Sequence, residues 1–130
     1  MDKVTSGTIE MTWNSESRLA FIRFESETHA TGKDAVVLVD ALTRWIGSDH
    51  KPFGLLGDGG SLTNVDAEYR SVWGKFFREH REDSYIAFFN MGPLIRVAAE
   101  MFGIGMRLRL KAFADEAQAR SWLREVGIAA

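Results

Sequence analysis

Cysteine is absent from these 130 residues and proline occurs twice. The first absence rules out a disulfide framework, a thiolate nucleophile and a cysteine-based zinc site. The second leaves long stretches free to form helices and strands, broken only at Pro52 and Pro93. An excess of charge of either sign is also missing. Sixteen basic residues stand against 18 acidic ones, a formal charge of -2, so there is no broad positive field to attract nucleic acid. No apolar run approaches the roughly 20 residues needed to cross a bilayer, because Arg96, Glu100 and Arg107 interrupt the nearest one. The opening Met1-Asp-Lys-Val-Thr5 lacks the apolar core of a secretion signal, which makes the cytoplasm the expected location. His29, His50 and His80 share no metal-ligand spacing, and neither a metal nor another cofactor is expected.

What is present points to a folded domain. A hydrophobic content of 45%, with nine Phe and four Trp, is too rich for disorder. A chain of this length buries about two-thirds of its unfolded surface, enough for one hydrophobic core without covalent staples.

Alternating apolar and polar residues predict strands over Thr8–Trp13 and Leu19–Phe24, joined as a hairpin through Asn14–Ser17. Thr31 stands three residues before Asp34, and Ala35, Leu38, Val39, Leu42 and Ile46 recur at helical spacing, so a capped helix ends near Gly47. Phe53–Gly57 is short and apolar between Pro52 and an Asp58-Gly59-Gly60 turn, which suits a central strand buried on both faces. A second helix should begin between Thr63 and Asp66, with Tyr69, Val72, Trp73, Phe76 and Phe77 as a broad apolar stripe. Tyr85–Phe89 reads as another strand. Gly92-Pro93 then opens a third helix whose buried stripe is predicted as Leu94, Val97, Ala98 and Met101, ending at Gly103. From Arg107 to Phe113 the period is two, after which the apolar spacing changes to 119, 122, 123 and 126 behind a cap formed by Asp115 and Gln118. The order β-β-α-β-α-β-α-β-α implies a single α/β domain with four helices and a five-stranded mixed sheet, antiparallel only at its opening hairpin.

This order, together with Phe113-Ala-Asp-Glu-Ala-Gln-Ala-Arg-Ser-Trp-Leu123 and the Gly92-Pro93 helix start, resembles the SpoIIAA-like branch of the STAS superfamily, the sulfate transporter and anti-sigma factor antagonist domains. Their fold is shared with the lipid-binding CRAL-TRIO domains. The resemblance implies a non-enzymatic regulatory module of bacterial type that acts by contacting a protein partner. Anti-sigma antagonists carry an Asp-Ser pair just after the third strand, where a partner kinase phosphorylates the serine. The matching segment here is Gly57-Asp58-Gly59-Gly60-Ser61, with the Asp in place and Gly59 at the phosphoserine position. The standard switch is therefore missing, and Ser61 and Thr63 are the hydroxyls left to receive a phosphate beside a helix N-terminus.

Two surfaces are candidate sites. The first is Asp58, Gly59, Gly60, Ser61 and Thr63, at the carboxyl end of the sheet where open α/β folds place ligands; the two glycines are more simply explained by a tight turn. The second is an apolar cleft or dimer face made by Tyr69, Trp73 and Phe77 with Met101, Phe102 and Met106, flanked by Arg96, Arg107, Arg109 and Lys111. Large rings at helical spacing are more simply explained as core. Three readings follow: a protein-interaction module using the Asp58 to Thr63 loop, a domain holding a small apolar ligand or touching a membrane surface, and an enzyme. The second predicts an enclosed apolar cavity of a few hundred Å³. The third has no nucleophile with a base in a recognisable motif.

Overall fold

In the computed structural model, which describes residues 2–130, the opening alternation belongs to three antiparallel strands. These are β1 (Asp2–Ser6), β2 (Ile9–Asn14) and β3 (Leu19–Phe24), and Ile9, Met11 and Trp13 of β2 are buried on one face. The chain continues through β4 (Thr28–Ala30), α1 (Gly32–Ile46), β5 (Phe53–Asp58), β6 (Leu62–Val65), α2 (Ala67–Glu79), β7 (Ser84–Phe89), α3 (Pro93–Gly105), β8 (Leu110–Phe113) and α4 (Glu116–Glu125). The main sheet has the order β1-β2-β3-β5-β7-β8, antiparallel as far as β3 and parallel from β3 to β8. It is a single α/β domain with four helices and a mixed sheet, but that sheet has six strands where five were expected. β4 and β6 add a separate two-stranded parallel sheet. β1 carries only one large apolar residue, Val4, so an edge strand held by main-chain bonds leaves no period-two signal. β4 and β6 have three and four residues, too few for any period to register.

The helix starts follow local chemistry. Thr31 caps α1 in a reciprocal box with Asp34, Asp66 caps α2 through the Tyr69 amide, and Asp115 caps α4 through the Gln118 amide. Pro93 sits in the first turn of α3 after Gly92. The end of α3 differs from the expectation. Arg107 takes a left-handed φ of 56°, its amide reaches Ile104 O at 3.1 Å and the Leu108 amide reaches Gly103 O at 2.8 Å. This is a Schellman termination, so residues 107 and 108 close the helix and the strand starts only at Leu110.

The helices cover the sheet unequally. On one face α1 and α2 pack over Ile9, Met11, Trp13, Ile22, Leu55 and Ile86, with Trp73, Phe76 and Phe77 of α2 forming a tight aromatic group. On the other, α4 brings Ala119 and Leu123 against Leu56, Ala87 and Phe89, with Ile128 sealing the end. Each such fully buried aliphatic or aromatic side chain contributes about 1.5–3 kcal/mol.

The predicted buried stripe of α3 is overturned. Leu94, Val97 and Met101 are 86%, 54% and 66% exposed, Ala98 is also exposed, and Ile104 is 79% exposed. The helix turns Ile95, Ala99, Phe102 and Gly103 inward instead. Nearly every position of α3 is apolar, so spacing alone does not choose a face. Close approach to β8 does: a Cβ at Gly103 would lie 3.0 Å from Leu110 Cβ, so glycine lets the helix seat closer there than a larger residue would without a shift of the neighbour.

Candidate functional site

The loose seating of α3 leaves a cleft of about 110 Å³ between α2, α3 and the sheet. Its floor is Ile22 and Phe24 of β3, Leu55 of β5 and Phe88 of β7. Tyr69, Trp73 and Phe77 of α2 form one wall, Ile95, Ala99 and Phe102 of α3 the other, and Leu62, Val65 and Met91 close the end. Two glycines shape it. Gly57 lies in register between Ile22 and Phe88, and a Cβ there would sit 2.5 Å from Phe88 Cδ1, so the ring leans over the bare backbone into the cleft. A Cβ on Gly59 would likewise meet Met91 Cγ at 2.5 Å.

The wall is apolar apart from Tyr69, Arg70 and Trp73. Trp73 stacks on Phe77 with ring centroids 5.3 Å apart and is almost wholly buried, yet its indole N–H has no hydrogen-bond partner. The N–H lies close enough to the Tyr69 hydroxyl to favour its ionised form, without the geometry of a hydrogen bond. Burial dominates, and it pushes the Tyr69 hydroxyl well above its usual range although the ring itself keeps some exposure.

Of the cleft residues chosen from sequence, Tyr69, Trp73, Phe77 and Phe102 come together. Met101 points to the outer side of α3, and Met106 packs near Gly74 behind the helix rather than lining the cleft. Leu62, Val65, Arg70, Phe88, Met91, Ile95 and Ala99 were missed. Ala98, at the exposed rim of the cleft, and Ala99 were the one available signal, since small residues on a helix leave room against a sheet. The flanking cations also disperse: Arg96 donates to Ala112 O at 3.1 Å, and Arg109 donates to Tyr85 Oη at 2.7 Å and Arg81 O at 2.9 Å.

The Asp58 to Thr63 loop engages several of its polar groups with itself, β4 and Asn90. Asp58 Oδ1 accepts from the Gly60 amide at 3.0 Å and from Asn90 Nδ2 at 3.4 Å, where Asn90 holds a left-handed φ of 62°. Ser61 O accepts from the Thr28 amide at 2.9 Å, and Thr63 Oγ1 donates to Thr28 O at 2.9 Å. Thr63 lies within β6, which separates Ser61 from α2, and the Asp66 carboxylate already occupies the N-terminus of that helix. The expected juxtaposition of these hydroxyls with a free helix start is not formed. The His80 ring, at the end of α2, packs on Phe76 with centroids 4.6 Å apart. His50 Nδ1 pairs with Asp83 Oδ2 at 3.0 Å. Among the described residues no group of three or more His, Cys, Asp or Glu is placed to hold a metal ion, and no helix is long and apolar enough to cross a membrane. No protein-family model matches the chain, and no curated protein matches it.

Proposed function

We propose that this protein is a non-enzymatic binding module that holds a small apolar molecule in the cleft beneath α3. The observation that carries this reading is the combination of an almost entirely apolar wall with a helix lid only one residue of which, Gly103, is fully buried. A volume of about 110 Å³ is below the ~300 Å³ lower end of drug-sized sites and somewhat below the ~150 Å³ cavity that takes up benzene. The occupant is therefore of the size of one ring or a short alkyl chain. The test is titration of the protein with hexan-1-ol, followed by methyl NMR of Ile95, Leu55 and Leu110. Saturable shifts confined to these methyls, abolished by Ala99→Trp, are the expected result. Unsaturable or absent shifts in the unsubstituted protein overturn the reading.

Protein interaction is the second reading, and α3 favours it more than the Asp58 to Thr63 loop does. The exposed side chains Leu94, Val97, Met101 and Ile104 follow the alternating three- and four-residue spacing with which helices pair. Such a stripe is self-complementary in antiparallel order, Leu94 against Ile104 and Val97 against Met101 of a second copy, as two-fold symmetry requires. A STAS-like regulatory role is compatible with this surface. Sedimentation equilibrium distinguishes a dimer from a monomer, and a monomer at high concentration removes this support.

A further inference from the structure

We infer that the cleft is built for an apolar monocarboxylate, with its hydrocarbon body against the aromatic wall and its carboxylate held at the mouth by Arg70 and the adjoining donors of α2. This inference rests on the reading of the cleft as a ligand site and adds the chemical class of the occupant. Tyr69, Arg70 and Trp73 carry the only polar side chains on the wall, and the three offer a hydroxyl, a guanidinium and an indole N–H, all of them donors. No Asp or Glu lines the cleft. Helical geometry groups the donors, because Arg70 and Trp73 are three apart and Tyr69 and Trp73 four apart on one side of α2.

Two of these groups lack what an anion would supply. Arg70 is exposed, uses Nη1 to donate to Val65 O at 3.2 Å, and forms no ion pair with any carboxylate of the described residues. The Trp73 N–H is a buried donor that makes no hydrogen bond, the nearby Tyr69 hydroxyl being out of line, and an oxygen entering the cleft would satisfy it. The Tyr69 hydroxyl is protonated at neutral pH as any tyrosine is, and burial, with a smaller push from the Asp34 carboxylate, moves it further from ionisation, so it too presents a proton. A guanidinium beside two neutral donors matches a planar carboxylate, which one arginine binds through two parallel hydrogen bonds.

The test compares hexanoate with hexan-1-ol, which share a six-carbon chain and differ in the charged head. Binding is read from methyl shifts of the cleft and from the Trp73 indole resonance, assigned by its loss in Trp73→Phe. Hexanoate is expected to bind about tenfold more tightly than hexan-1-ol and to move the indole resonance downfield. Arg70→Gln should erase the difference, Arg70→Lys should keep part of it, and Arg78→Gln, on the same helix but off the cleft, should leave it intact. Equal binding of the two probes, with Arg70→Gln without effect on hexanoate, overturns the carboxylate inference while the apolar site stands. Failure of both probes to produce saturable shifts overturns the inference together with the reading on which it rests.

Discussion

Phe88 occupies the space that a side chain on Gly57 would need: a Cβ there would fall 2.5 Å from its Cδ1 and 3.2 Å from Ile22 Cγ2. The bare strand thus sets the shape of the cleft floor. Gly57→Ala should force the Phe88 ring to another rotamer and destabilise the protein by about 1–3 kcal/mol, a drop of roughly 3–10 °C in melting temperature. Thermal melts followed by circular dichroism measure it. The double substitution with Phe88→Leu should recover part of the loss, and strict additivity would show that the two residues do not compete for the space.

Asp34 joins the edge strand to the first helix. Its Oδ1 accepts from Ser6 Oγ at 2.6 Å, and its Oδ2 accepts from the Thr31 amide and hydroxyl at 3.0 Å each. Partial burial opposes ionisation, but the hydrogen bonds from Ser6 and Thr31 outweigh it and hold the carboxyl below its ordinary value of 3.8. A lowered folded-state pKa means that the contribution is complete above the unfolded value and disappears as pH falls through the folded one. Asp34→Asn should therefore cost about 0.5–2 kcal/mol near neutrality, and the gap should close as the pH is taken from about 5 toward 2. Urea midpoints of both proteins across that range decide it, and a gap independent of pH contradicts the assignment.

Thr63 holds the small sheet together through its bond to Thr28 O. Thr63→Glu, a mimic of phosphorylation, breaks that bond, so a loss of about 1 kcal/mol and faster amide exchange at β4 and β6 are expected. Ser61→Glu should cost less, because the Ser61 contact to β4 is made by its main-chain oxygen. Comparable losses at the two positions would mean that the loop, not the Thr63 bond, governs the response.

The outer stripe of α3 makes no contribution to the fold in an isolated chain. Met101→Glu and Ile104→Glu should leave the unfolding midpoint of dilute protein within about 0.5 kcal/mol of the original, while abolishing any concentration-dependent association. Sedimentation at several loading concentrations, paired with dilute denaturant titrations, separates the two effects. A loss of several kcal/mol at high dilution would show that the stripe is buried within one copy.

Local signals reached far into this fold. The Thr31–Asp34 box, the Asp115 cap and Pro93 in the first turn of α3 could all be placed from short spacings, because the two caps are side chains bonding an amide three residues on and Pro93 lacks only an N–H that the first turn leaves unused. The buried β5 strand was equally legible, since Phe53–Gly57 is apolar on both alternations and bounded by turn residues. β1, β4 and β6 were not, because β1 is an edge strand held by main-chain pairing with little apolar alternation, and β4 and β6 are very short strands paired across a long stretch of sequence.

What the amino-acid order alone determined was the class of the protein, the sequence of its major elements, their capped starts and the aromatic character of α2. Only the tertiary structure decided which face of α3 turns inward, and with it which residues line the cleft. Spacing cannot make that choice on a helix that is apolar almost all round. The close approach of Gly103 to Leu110, residues that meet where α3 turns back onto the sheet, makes it instead, and so leaves Leu94, Val97, Met101 and Ile104 in solvent while Arg70 and Trp73 border the same cavity.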